Sequence, residues 1–75
     1  MLKLFTTSHC HLCDVALMLV LQVCDAQQVS IIEISENDDL VITYGNRIPV
    51  LQRLDTKAEL NWPFNNKTLM EFLAN

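Results

Sequence analysis

Cys10 and Cys13 stand three residues apart in the stretch TTSHCHLCDVALMLVLQ, with His9 and His11 interleaved. Such a stretch serves thiol–disulfide exchange, metal ligation, or neither, as a helix start that happens to carry sulfur. On a helix, residues three apart share a face with Cβ atoms about 5–6 Å apart, a gap that a disulfide closes with modest adjustment. A cysteine at a helix N-terminus also meets unpaired N–H groups and the positive end of the helix dipole, which favour a thiolate. The thiolate is the nucleophile in exchange, so Cys10 is expected to attack and Cys13, one turn deeper, to resolve. The metal reading counts His9, Cys10, His11 and Cys13 as ligands. Zinc sites usually join two separated ligand sets, and Cys24 is the one ligand of that kind left in the chain. No metal is therefore expected within one chain, while an ion or iron–sulfur cluster shared by two chains stays open. Cys24 itself, roughly 16 Å further along the helix, reads as a buried, inert thiol. His11 either stabilises the Cys10 thiolate when protonated or is a plain exposed residue, and both readings stand.

The elements that must position these sulfurs follow from hydrophobic pattern. Leu2–Thr6 reads as a strand that enters the polar turn Thr7-Ser8-His9. A helix is expected from about Cys10 to Gln27, N-capped by Ser8 or His9 and buried on most of its circumference along Val15–Leu21. Val29–Ser35 reads as a second strand, and strand, helix and strand in order predict a parallel βαβ unit. Asn37 or Asp38 caps a short helix that Gly45-Asn46 ends. Pro49–Leu54 and Ala58–Trp62 form a hairpin around Asp55-Thr56-Lys57. Asn65 or Asn66 caps a last helix over Lys67–Leu73. The expected order is βαβ-α-ββ-α, an α/β domain over residues 1–75.

Composition narrows the function. Hydrophobic residues make up 51% of the 75-residue chain, enough for a packed interior. A single glycine excludes glycine-rich phosphate loops. A net charge of −4, with five scattered basic residues, argues against a nucleic-acid partner. Val15–Leu21 is too short to span a bilayer, so no membrane partner is expected. The N-terminal stretch has no signal-peptide pattern, and an odd cysteine count with a CxxC pair does not suit a disulfide scaffold. A reducing cytoplasm is the expected compartment. Arg47 reads as a solvated charge or as an attractor of anions at the site edge. Trp62 and Phe64 read as a cover over the core, or as an exposed pair for a protein substrate.

With CxxC after the first strand and RIPVL downstream, the sequence resembles the glutaredoxin-like branch of the thioredoxin superfamily, and most closely its small bacterial glutaredoxin-like proteins. The resemblance implies a thioredoxin fold with a four-stranded mixed sheet flanked by helices, and activity as a dithiol–disulfide oxidoreductase. It matches Cys10 to the nucleophile, Cys13 to the resolving cysteine and Pro49 to a cis-proline beside the sulfurs. Ile48 then matches the residue whose backbone N–H and C=O pair with an extended substrate or with glutathione, and His11 lies within the motif. No bound cofactor is implied. The implied partners are a disulfide-bearing protein or small molecule, and glutathione or a thioredoxin-reductase-type protein as reductant. Typical members carry Pro-Tyr between the cysteines and Gly-Gly-x-x-Asp after the fourth strand, where this chain has His11-Leu12 and Trp62-Pro63-Phe64-Asn65-Asn66. Weak coupling to glutathione is therefore expected. A binding module that uses the groove around Pro49 is the alternative of another class.

Overall fold

In the computed structural model, which describes residues 1–74, the apolar segments form the expected α/β arrangement. Strand β1 (Leu2–Thr6) leads through a turn to helix α1 (His11–Val23), a single 3-10 turn (Ala26–Gln28) and β2 (Val29–Glu33). Helix α2 (Asp38–Tyr44), strands β3 (Val50–Arg53) and β4 (Glu59–Asn61), and helix α3 (Asn66–Ala74) complete the order. The sheet runs β2-β1-β3-β4, with β1 parallel to β2 and the other two pairs antiparallel.

Strand alternation splits the core in two. Leu2 and Leu4 pack with Leu51, Ala16, Val20, Phe64 and Leu69 on the face covered by α1 and α3. Phe5, next along the strand, points the other way with Val50, Ile34 and Tyr44, under α2. The period-2 pattern of a strand thus supplies both layers from one five-residue segment.

Helix α1 departs from expectation at both ends and in its burial. Its N-cap is Cys10 itself, not Ser8 or His9. His9 adopts a left-handed φ of 59° and turns the chain into the helix. The helix stops at Val23, four residues before Gln27, because Asp25 and Gln28 close a separate turn in which the Asp25 N–H donates to Gln28 Oε1 at 3.0 Å. Only Cys13, Ala16 and Val20 are fully buried, a single stripe at helical spacing. Leu12, Met18 and Leu21 face outward, so the helix is buried on one side and not around most of its circumference. A sheet packed from one side can cover only that stripe.

The other boundaries lie within two residues of the expected ones. Asn37 caps α2 by accepting from the Leu40 N–H at 3.2 Å. Gly45 ends α2 in the right-handed region rather than the left-handed one, and its missing side chain is needed because a Cβ there would run into the Val41 carbonyl. Asn65 caps α3: its Oδ1 accepts from Thr68 N–H and its own N–H donates to Thr68 Oγ1, both at 2.9 Å. Among the described residues no helix is long and apolar enough to cross a membrane.

Candidate functional site

The sheet register gathers the sequence-selected residues at one end of the molecule. β1 ends at Thr6, from which the chain passes to Cys10, and Phe5 pairs with Val50, which places Pro49 across from Thr6. Asn61 pairs with Val50 and Glu33 with Thr6, so β4 and β2 reach the same end.

Cys10 and Cys13 are joined as a disulfide with Cα atoms 5.2 Å apart. The two sulfurs sit in different surroundings. Cys13 is 3% exposed, packed within α1, whereas Cys10 is half-buried at the mouth of the helix. The Cys13 N–H donates to Cys10 Sγ at 3.2 Å, so the sulfur takes the capping place that a serine or aspartate oxygen usually fills. This gives the helix-start argument a specific donor: one of the otherwise unpaired N–H groups points at the sulfur. His11 and Leu12 are both exposed beside it.

The turn before Cys10 is held by an acid that sequence reasoning did not select. Ser8 Oγ donates to Glu33 Oε1 at 2.9 Å, and the Ser35 N–H donates to Glu33 Oε2 at 3.1 Å. The Ser35 N–H first, then the Thr7 and Ser8 hydroxyls, hold the Glu33 carboxyl down to about 2. A charged residue closing a largely apolar strand was the available signal.

The Ile48–Pro49 peptide is cis, as is Trp62–Pro63. Pro49 is fully buried. The Ile48 N–H is not free for an added strand: it donates to the Tyr44 carbonyl at 3.1 Å, because the chain leaves α2 in a tight turn. Arg47 is partly open to water but not a free charge. It donates to Thr43 O, Asn61 Oδ1 and Glu59 Oε1 at 3.0–3.1 Å and lies over the Tyr44 ring at 4.9 Å.

Trp62 and Phe64 meet edge to face at 5.0 Å, with Phe64 in the core, so this pair covers the interior. Cys24 lies away from the pair, as expected, but it is half-buried rather than buried and lines a cavity of about 360 Å³ with Leu2, Arg53 and Leu73. Burial still pushes its thiol pKa up. Among the described residues no group of three or more His, Cys, Asp or Glu side chains is gathered to hold a metal ion.

Comparison with known proteins agrees with this geometry. A model of the family described as Glutaredoxin-like domain (DUF836) matches residues 1–74. The chain belongs to this glutaredoxin-like family. Its structure is similar to the X-ray structure of Northeast Structural Genomics target protein XcR50 from X. campestris, with TM-score 0.89, 34% identity, and coverage of 99% of this chain and 96% of that one. The solution structure of the same target gives TM-score 0.80 and 33% identity, over 97% and 91% of the two chains. No curated protein matches the sequence. The match agrees with the mixed four-stranded sheet described above.

Proposed function

We propose that this glutaredoxin-like protein is a dithiol–disulfide oxidoreductase. One observation supports this above the others: Cys10, half-buried and with its sulfur accepting from a helix N–H, is bonded to the buried Cys13. In the reduced protein the Cys10 thiolate attacks one sulfur of a substrate disulfide. A Cys10–substrate bond forms, the substrate S–S bond breaks, and the departing thiolate takes up a proton. Cys13, having lost its own proton, then attacks Cys10 Sγ and releases the second substrate thiol. The cysteine pair is oxidised by two electrons and the substrate disulfide is reduced by two.

The cycle needs a dithiol or thiol reductant, either glutathione or a thioredoxin-reductase-type protein, and no resident cofactor. A reducing cytoplasm suits it, with disulfide-bearing proteins or small molecules as substrates and neither nucleic acid nor membrane as partner. In the segment where typical members carry Gly-Gly-x-x-Asp, Asn65 here spends its amide and its N–H on capping α3. That supports a reductant other than glutathione. Turnover of an insulin disulfide, compared between a thioredoxin reductase system and a glutathione-coupled system, tests the reading. Reduction by neither would end it.

A further inference from the structure

The residue before the Ile48–Pro49 pair is bound on three sides. Arg47 Nε holds the last turn of α2 through Thr43 O, and its two terminal nitrogens hold Asn61 and Glu59 of β4. Glu59 is itself fixed, since the Tyr44 hydroxyl donates to its Oε2 at 2.7 Å and Gln52 Nε2 reaches the same oxygen at 3.5 Å. Tyr44 stacks on Phe5 of β1, with centroids 4.1 Å apart and rings within 13° of parallel. The backbone closes the same unit, because the Tyr44 carbonyl accepts from both Arg47 N–H at 2.9 Å and Ile48 N–H at 3.1 Å. The neighbouring α2 and β3 and the more distant β4, with Phe5 of β1 behind Tyr44, thus converge on one short turn. By contrast, the Ile48 carbonyl has no hydrogen-bond partner among the described residues.

Most of these bonds are individually weak, because the Arg47–Glu59 pair is partly open to water. A network of five side chains from three elements and the turn between α2 and β3 is better suited to fixing geometry than to adding stability. What it fixes is the direction of an open backbone acceptor, the Ile48 carbonyl, at the end of the sheet that carries the cysteine pair.

We propose that Arg47, through Glu59 and Asn61, is a positioning residue that aims the Ile48 carbonyl at the backbone of an extended disulfide-bearing peptide. With the Ile48 N–H closed by Tyr44, residue 48 offers the peptide its carbonyl alone, so the orientation of that carbonyl matters more than in a two-bond pairing. This inference rests on the thiol-exchange reading. Hydroxyethyl disulfide, which has no peptide backbone, does not use the contact.

The test compares wild type with Arg47→Ala and Asn61→Ala, on hydroxyethyl disulfide and on a linear peptide carrying a cysteine mixed disulfide. For the peptide, Arg47→Ala is expected to raise KM on the order of tenfold, with kcat nearly kept. KM for hydroxyethyl disulfide and the reduction potential of the cysteine pair should hardly move. Asn61→Ala, which removes one exposed contact and is safe for folding, should raise the peptide KM about two- to threefold on the same scale. An active wild type with unchanged peptide KM in both variants overturns the inference alone. An equal rise in KM for both disulfides also overturns it, since that is general loosening of the site. If Arg47→Ala does not fold, the Asn61→Ala result decides by itself. A wild type that turns over neither disulfide overturns the thiol-exchange reading and this inference together.

Discussion

The two sulfurs of the pair differ in what reaches them, and that difference predicts their order of reaction. Cys10 has a helix N–H aimed at it and an open side, Cys13 is covered, and the Cys24 thiol is pushed up by burial. In reduced protein near neutral pH, iodoacetamide should label Cys10 at least about tenfold faster than Cys24, following thiolate population. Peptide mapping of labelled protein reads the order directly, and Cys24 labelled first would contradict it. Cys13→Ser should accumulate a mixed disulfide through Cys10, visible by mass, whereas Cys10→Ser should abolish exchange. His11 is exposed one residue away. If its positive form stabilises the thiolate, His11→Ala moves the pH profile of Cys10 labelling upward; an unchanged profile leaves it a plain surface residue.

Among the elements, what was legible in the sequence was whatever a local signal encodes. The alternation of Leu2–Thr6, the Asn37 cap and the hairpin turn could all be read from neighbouring residues. The end of α1 also had a local signal, Asp25 with Gln28 three residues on, but the segment around it has no glycine or proline to mark the stop. The sidedness of α1 was hidden because leucine and methionine fill exposed and buried positions alike. The unit around Arg47 could not be read at all, since Tyr44, Arg47, Gln52, Glu59 and Asn61 meet only once α2 and the hairpin have folded together. Two element-scale predictions follow from backbone detail. Asn65→Ala removes the acceptor at the start of α3 and should cost about 1 kcal/mol. Lys57→Gly relieves a left-handed φ of 64° in the hairpin turn and should stabilise by about 1 kcal/mol. Urea unfolding measures both, and a destabilising Lys57→Gly would show that the turn has another conformation.

At the scale of the whole molecule, one end of the sheet carries the cysteine pair and its supports, and the other carries the cavity beside Cys24. The supports at the first end depend on an ionised acid, so that end should respond to pH in a defined direction. The Glu33 carboxyl lies at about 2 in the folded protein against an ordinary value of 4.5, held down first by the Ser35 N–H and then by the Thr7 and Ser8 hydroxyls. Between those two values the unfolded chain binds the extra proton and the folded chain does not, so stability from this group falls with pH. It is present in full above pH 4.5 and is lost as the pH drops toward 2. Asp55, held below the usual carboxylate range chiefly by the Arg53 guanidinium, has the same sign at the opposite end. Glu33→Gln removes the ionisable group and keeps one of the two acceptor oxygens that Ser8 and Ser35 use. Urea midpoints of wild type and Glu33→Gln, followed from neutral pH to pH 2, should therefore differ by a constant amount down to about 4.5 and converge below it. Because Asp55 titrates in both proteins, its contribution cancels in the difference. A difference that stays flat to the acid limit would mean that Glu33 does not tether the turn leading into Cys10.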